Sequence, residues 1–124
     1  MNTVSGAALT VVRFSVQNAS FQAIKRKLAD MYVFNELARS NAYLGAWALS
    51  TNAAELPEAA AGARVSAIYA FHNASKENIQ THGGMGFTWK NKVSRMYRDG
   101  RLASIGGGDD EVMLGILAKT MGIA

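Results

Sequence analysis

Apolar residues return at three- and four-residue steps from Ser20 to about Thr51: Phe21, Ile24, Leu28, Met31 and Tyr32, continued on the same face by Asn35, Ala38 and Ala42. That period is helical. Ser20 suits the N-cap, where a hydroxyl accepts from a free N–H of the first turn, and Lys25, Arg26 and Lys27 fall on the opposite, wet side. At 1.5 Å per residue, about 30 residues make a helix about 45 Å long, typical of a bundle. Ala42, Gly45, Ala46 and Ala48 leave room for a close neighbour. Pro57 opens a second helix, where its missing N–H costs nothing, running to about Thr81 with Val65, Ile68, His72 and Ile79 near one face. Gly83-Gly84-Met85-Gly86 ends it. A third helix spans about Lys90–Ser104, with Val93, Met96, Tyr97 and Leu102 apolar and Lys92, Arg95, Arg98 and Arg101 polar, and Gly106-Gly107-Gly108 stops it. A last helix covers Asp109–Gly122. No alternation of period two runs beyond a few residues. The chain is therefore expected to be all-α, a four-helix bundle without internal repeats.

Composition narrows this further. The 124 residues suffice for one buried core, and 49% hydrophobic against 18% charged residues with a single proline is not the balance of a disordered chain. No cysteine occurs, which excludes a disulfide framework, a thiolate zinc site and a cysteine nucleophile. His72 and His82 are too few for an all-histidine zinc site. The net charge of +4 suits acidic ligands without singling out nucleic acid. Ala7 to Val12 is a short apolar run with no basic segment before it, so neither a signal peptide nor a membrane span is expected, and a cytoplasmic location is the default. The sequons at Asn18 and Asn73 are read as chance.

Two glycine clusters carry the most information: Gln80-Thr81-His82-Gly83-Gly84-Met85-Gly86-Phe87-Thr88 and Ser104-Ile105-Gly106-Gly107-Gly108-Asp109-Asp110-Glu111-Val112. Glycines at helix ends serve as C-caps, the plainer account, and also let backbone N–H groups approach a phosphate. Neither cluster has P-loop or dinucleotide-fingerprint spacing, and each follows a helix rather than a strand. The basic run Lys90, Lys92, Arg95, Arg98 and Arg101 reads as a solvated helix face, since acidic residues (Asp99 and Asp109 to Glu111) sit nearby. His72 reads as a packed, hydrogen-bonded side chain, Asp109 to Glu111 as a cap and first turn, and Trp47, Trp89 and the methionines as core or subunit-interface groups.

The order and spacing of four blocks resemble the C-terminal helical domain of the FAD-dependent acyl-CoA dehydrogenases. These are Ser20-Phe21-Gln22-Ala23-Ile24-Lys25 with Leu28-Ala29-Asp30-Met31; Ala38-Arg39 with Ala46-Trp47-Ala48; Gln80 through Thr88; and Arg98-Asp99-Gly100-Arg101 through Gly108. On this resemblance residues 1–13 are a short N-terminal arm and 14–124 the bundle. It implies a larger subunit in which a carboxylate takes the α-proton of an acyl-CoA thioester while FAD accepts a hydride from the β-carbon. Electrons then pass to an electron-transferring flavoprotein. It also implies a homo-oligomer with these bundles at its centre, the His-Gly-Gly loop of one subunit reaching the FAD of its neighbour. Gln80, Gly83 and Gly84 would contact the adenosine and pyrophosphate portion, Phe14 would lie near the flavin cofactor, and Asp109 and Glu111 would occupy another FAD-contacting stretch.

The departures matter equally. Val11 stands where the family usually places an arginine that neutralises phosphate charge, and Ser15-Val16-Gln17 replace a glycine and proline pattern. Gly107 stands where many members carry the catalytic glutamate, resembling the branch whose base comes from an upstream helix; residues 1–13 contain no Asp or Glu. The implied role is the C-terminal part of an acyl-CoA dehydrogenase, inactive alone, carrying little FAD and prone to self-association. The alternative is a stand-alone oligomerisation or interaction module that pairs with a larger flavoprotein. A basic nucleic-acid-binding bundle is the third and weakest option, and no membrane partner is expected.

Overall fold

The computed structural model describes residues 12–13, 16–17, 21–90, 92–106 and 108–123. Ser20, the expected cap, lies outside them. Among the described residues a two-residue ladder pairs β1 (Val12–Arg13) antiparallel with β2 (Val16–Gln17), with Val12 opposite Gln17 and Arg13 opposite Val16. The elements that follow it among the described residues are all helical: α1 (Gln22–Thr51), α2 (Leu56–His82), a 3-10 turn (Gly83–Phe87), α3 (Lys92–Ile105) and α4 (Asp110–Thr120). The four expected helices are thus present, with ends shifted by one or two residues.

The inward face of α1 is narrower than the sequence suggested. Ile24, Leu28, Met31, Phe34, Ala38, Asn41, Gly45 and Ala48 are buried or half-buried, spaced by steps of three and four. Tyr32, Asn35 and Ala42, assigned to that face, are exposed. The reason is geometric: α1 rests chiefly on α2, and one long partner demands a seam rather than a broad stripe. The expected close approach occurs on this seam, where a Cβ added at Gly45 would sit 3.5 Å from both the Ala59 carbonyl oxygen and the Ala63 Cβ. Lys27 also departs from expectation. Its Nζ lies 2.7 Å from Glu77 Oε2, tying α1 to α2 instead of standing in solvent.

The central element is α2, which packs against α1, α3, α4 and the 3-10 turn. A helix contacted on several sides needs small groups more than one apolar stripe. Accordingly Ala59, Ala61, Ala70, Ser75, Asn78 and Thr81 are its buried residues. The polar ones are satisfied locally in part: Ser75 Oγ donates to the His72 carbonyl at 3.0 Å and Thr81 Oγ1 to the Glu77 carbonyl at 2.8 Å. Asn52 ends α1 in the left-handed conformation (φ 51°), and Ala53 N–H donates back to the Ala48 carbonyl at 2.9 Å, a Schellman closure.

α3 runs back antiparallel along α2. Halfway, a Cβ added at Gly100 would fall 2.4 Å from Phe71 Cε1, so the Phe71 ring lies directly over this glycine inside a helix that would otherwise prefer alanine. Arg64 of α2 then reaches the far end of α3, donating through Nη2 to the carbonyls of Ala103, at 2.6 Å, and Gly106. A cation on the last carbonyls of a helix satisfies otherwise unpaired acceptors and complements the dipole. α4 buries no residue completely. Trp47 and Trp89 are 54% and 81% exposed, so neither belongs to the core of this chain.

Candidate functional site

The sequence singled out two glycine turns, and the antiparallel pairing of α2 with α3 places them at opposite ends of one helical pair. At the first, α2 ends on Gly83, whose φ of 64° and ψ of −141° belong to glycine alone. A Cβ at Gly83 or Gly84 would meet nothing within 4 Å, so both backbones lie open. Gly86 differs. A Cβ there would approach the Ile79 carbonyl oxygen to 2.6 Å, so the turn folds back hard on α2 at this residue. His82 anchors the turn, its Nδ1 lying 2.9 Å from the Asn78 carbonyl oxygen.

Exposed Gln80 lies on a groove of about 480 Å³ between the last turns of α2 and the first turns of α3. Lys76, Trp89, Ser94, Tyr97 and Arg98 also line it. Arg98 Cζ sits 4.3 Å from the centroid of the Trp89 ring, a cation–π contact. The basic run thus makes an aromatic contact at Arg98, while Lys90, Lys92, Arg95, Arg98 and Arg101 are all exposed.

The second turn has the opposite character. Asp109 caps α4, its Oδ1 accepting from Val112 N–H at 2.9 Å. Gly108 is held at φ 102° with Met113 against it. Asp109, Asp110 and Glu111 line a groove of about 320 Å³ with Tyr69, His72 and Arg101. His72 is packed as expected, its ring 5.4 Å from that of Tyr97, but its buried Nδ1 has no hydrogen-bond partner among the described residues. The capping account of Asp109 holds. No group of three His, Asp or Glu side chains among the described residues has the arrangement of a metal site.

Gln80, Gly83 and Gly84 are thus together, while Asp109 and Glu111 lie on a separate groove. Phe14, Val11 and Gly107 lie outside the described residues. Sequence reasoning missed Lys76, Tyr97, Arg64 and the special status of Gly86. The four-residue step from Lys76 to Gln80 and the steps from Ser94 to Tyr97 and Arg98 were legible, but only the pairing of α2 with α3 makes them one surface.

A long helix packed on a second helix, a glycine turn, a shorter helix running back and an acid-capped last helix form a helical domain that presents its polar turns outward. A family model for the C-terminal domain of acyl-CoA dehydrogenases matches residues 2–122. The chain belongs to this family. It is 37% identical over 109 residues to the probable acyl-CoA dehydrogenase YngJ of Bacillus subtilis, a match covering 88% of this chain and 28% of that protein. It is 34% identical over 100 residues to the CarC subunit of the caffeyl-CoA reductase–Etf complex of Acetobacterium woodii, covering 81% of this chain and 26% of the relative. The butyryl-CoA dehydrogenase structure from Megasphaera elsdenii superposes with a TM-score of 0.90 at 28% identity, over 97% of this chain and 31% of that one. The chain therefore spans between a quarter and a third of the length of these relatives. No helix among the described residues is long and apolar enough to cross a membrane.

Proposed function

We propose that this chain supplies the C-terminal helical part of an FAD-dependent acyl-CoA dehydrogenase, contributing oligomer contacts and part of the FAD site of a neighbouring subunit, and that it is inactive alone. One observation carries this. Gln80, Gly83 and Gly84, the residues that the family resemblance assigns to FAD, are exposed on the outside of the domain with open space above both glycines. A site that faces away from its own core completes something beyond it. The residues fit the group: the glycine backbones admit close approach and the Gln80 amide offers both a donor and acceptors. Bound FAD would supply the hydride acceptor for α,β-dehydrogenation of an acyl-CoA thioester. Gln80 and the two glycines would bind and orient its adenosine and pyrophosphate end, with Phe14 near the flavin. Asp109, already committed to capping α4, and Glu111 would contribute only through the segment they hold in place.

Inactivity alone is supported by two features: Gly107 carries no proton-accepting group where many family members have a glutamate, and residues 1–13 contain no Asp or Glu to supply an alternative base. Oligomer contacts are supported by α1, whose outer residues Tyr32, Leu37, Tyr43, Leu44 and Trp47 are each at least half exposed. By the same family relation, electrons would leave to an electron-transferring flavoprotein, in the cytoplasm. The test is to purify the chain and measure flavin content, acyl-CoA-dependent reduction of an artificial acceptor, and molar mass by light scattering. We expect little flavin, no turnover and a self-associated species. A yellow, stoichiometric and active preparation overturns the proposal, and a monomer at high concentration removes its oligomer part.

The exposed α1 face also supports a second reading, a stand-alone helical module that pairs with a larger flavoprotein. Co-purification with a larger flavin-bearing polypeptide would favour it.

A further inference from the structure

A second stripe runs along α1, away from its seam with α2. Val33, Leu37, Ser40, Leu44 and Trp47 follow one another at steps of four and three, and all but Ser40 are apolar and at least half exposed. That spacing is the one by which two helices pack lengthwise. The stripe borders a trough. α1 and α4 both pack on α2 but not substantially on each other. Between them lie two adjoining hollows of about 400 and 380 Å³. Leu37, Leu44 and Trp47 form one wall and Leu117 the other, while Gly62 belongs to both hollows, with nothing within 4 Å of a Cβ added there. α4 is apolar over more than half of its circumference, from Val112 to Leu117, yet buries no residue completely, a breadth that calls for cover on a second side. The two ends of the stripe carry opposite charge. Arg26, one heptad before Val33, is exposed at one end, and exposed Glu55 and Glu58 line the trough with Trp47 at the other. The ion pairs found among the described residues, Lys27–Glu77 and Arg39–Glu36, use none of these three.

We propose that this trough is a self-interface, in which α1 of a second copy of the chain lies antiparallel along α1 about a two-fold axis near Ser40. The order of charges selects this occupant. Turned end for end about Ser40, the stripe sets Leu37 of one copy by Leu44 of the other, Val33 by Trp47, and Arg26 by Glu55 and Glu58, while Asp30 falls opposite the Thr51 hydroxyl. A parallel pair would instead set Arg26 on Arg26 and the glutamates on one another, which repels. A closed dimer requires a surface that complements itself under a two-fold turn. A basic end, an apolar middle and an acidic end meet that requirement, and the small Ser40 at the axis lets the two helices approach. This deepens the oligomer contacts proposed above and rests on that reading only for the expectation of self-association; it adds the face, the orientation and the closure at two copies.

The test uses the full chain, whose lack of cysteine makes a single introduced thiol an unambiguous probe. Ser40→Cys should be joined into a covalent dimer by a short bismaleimide, whereas Lys92→Cys, on α3 and outside the trough, should not. In sedimentation equilibrium the wild-type chain should fit a monomer–dimer equilibrium. Leu44→Asp should weaken the dimer by about a hundredfold or more, since it buries an unpaired charge on each side of the axis. Arg26→Glu should weaken it by about tenfold, through like charges repeated at both ends, and adding Glu55→Lys and Glu58→Lys to the same chain should recover most of that loss. All these side chains are half exposed or more, and unchanged helicity shows that the variants fold. Recovery by the charge swap is the readout that general stickiness of an apolar face would not give. A monomer at high concentration, association indifferent to Leu44→Asp, equal cross-linking through Lys92→Cys, or a Ser40→Cys chain that joins a larger polypeptide in place of a second copy overturns the proposal. The two readings fail separately. Bound flavin with turnover sinks the inactive-alone role and leaves the dimer untouched, whereas association that survives Leu44→Asp sinks the dimer and leaves the FAD role of Gln80, Gly83 and Gly84 standing.

Discussion

The two glycine turns look alike in sequence, each a run of small residues between helices with polar groups on both sides, yet they do different physical work. The Gly83–Gly86 turn leaves two glycine backbones open and places a cationic, aromatic groove beside them. At the Gly106–Gly108 turn, Arg64 takes the last carbonyls of α3, Asp109 takes a first-turn N–H of α4, and the flanking groove is acidic. The polar groups of the second turn are used up in joining two helices, while those of the first remain available to a ligand. Glycine content alone therefore says little about binding; what matters is whether nearby side chains already satisfy the turn.

The largest effect that would break this comparison comes from Gly86→Ala. The added methyl meets the Ile79 carbonyl, which is backbone and cannot swing away, so a loss of about 2–3 kcal/mol is expected, measured by chemical denaturation. Next comes Arg64→Ala, which removes two charge-assisted bonds at the end of α3 and should cost about 1.5–2 kcal/mol. Hydrogen exchange should rise around residues 103–106 without change at the first turn. Arg64→Lys should restore only part, because an ammonium cannot reproduce the guanidinium fork. Asp109→Ala removes the cap of α4 and should cost about 1 kcal/mol, with Asp109→Asn close to wild type. The smallest effect sharpens the contrast within the first turn: Gly84→Ala has open space around the new methyl and should change stability by less than about 0.5 kcal/mol. Equal costs for Gly84→Ala and Gly86→Ala in thermal melts would show that the turn is not folded as described.

Much of the fold was legible locally. Period-3.6 patterning located α1, Pro57 marked the first turn of α2, and the acidic run at Asp109 marked the start of α4, because caps and turns are set by residues adjacent in the chain. The errors came where partners were distant. Tyr32, Asn35 and Ala42 seemed apolar or small enough to belong inside, but the seam with α2 turned them out. Lys27 looked solvated until Glu77, fifty residues later, came beside it. Of the candidate site, the Gln80–Gly84 turn was visible through the family resemblance, while Lys76, Trp89 and Arg98 had no common signal, being drawn from two helices and the connection between them.

The sequence by itself determined that the chain is helical and, to within a residue or two, where its helices begin and end, since both are written in local periodicity and caps, while the family entered through the resemblance of its motif blocks. Only the tertiary structure decided which side of each helix faces inward and which charges meet. It also decided which glycines are crowded: Gly86 lies against the Ile79 backbone, which cannot give way, and Gly100 against the Phe71 ring. The physical reason is range. Backbone hydrogen bonding and capping act within a turn or two, whereas seams, grooves and ion pairs depend on how whole helices cross, which a single helix does not specify.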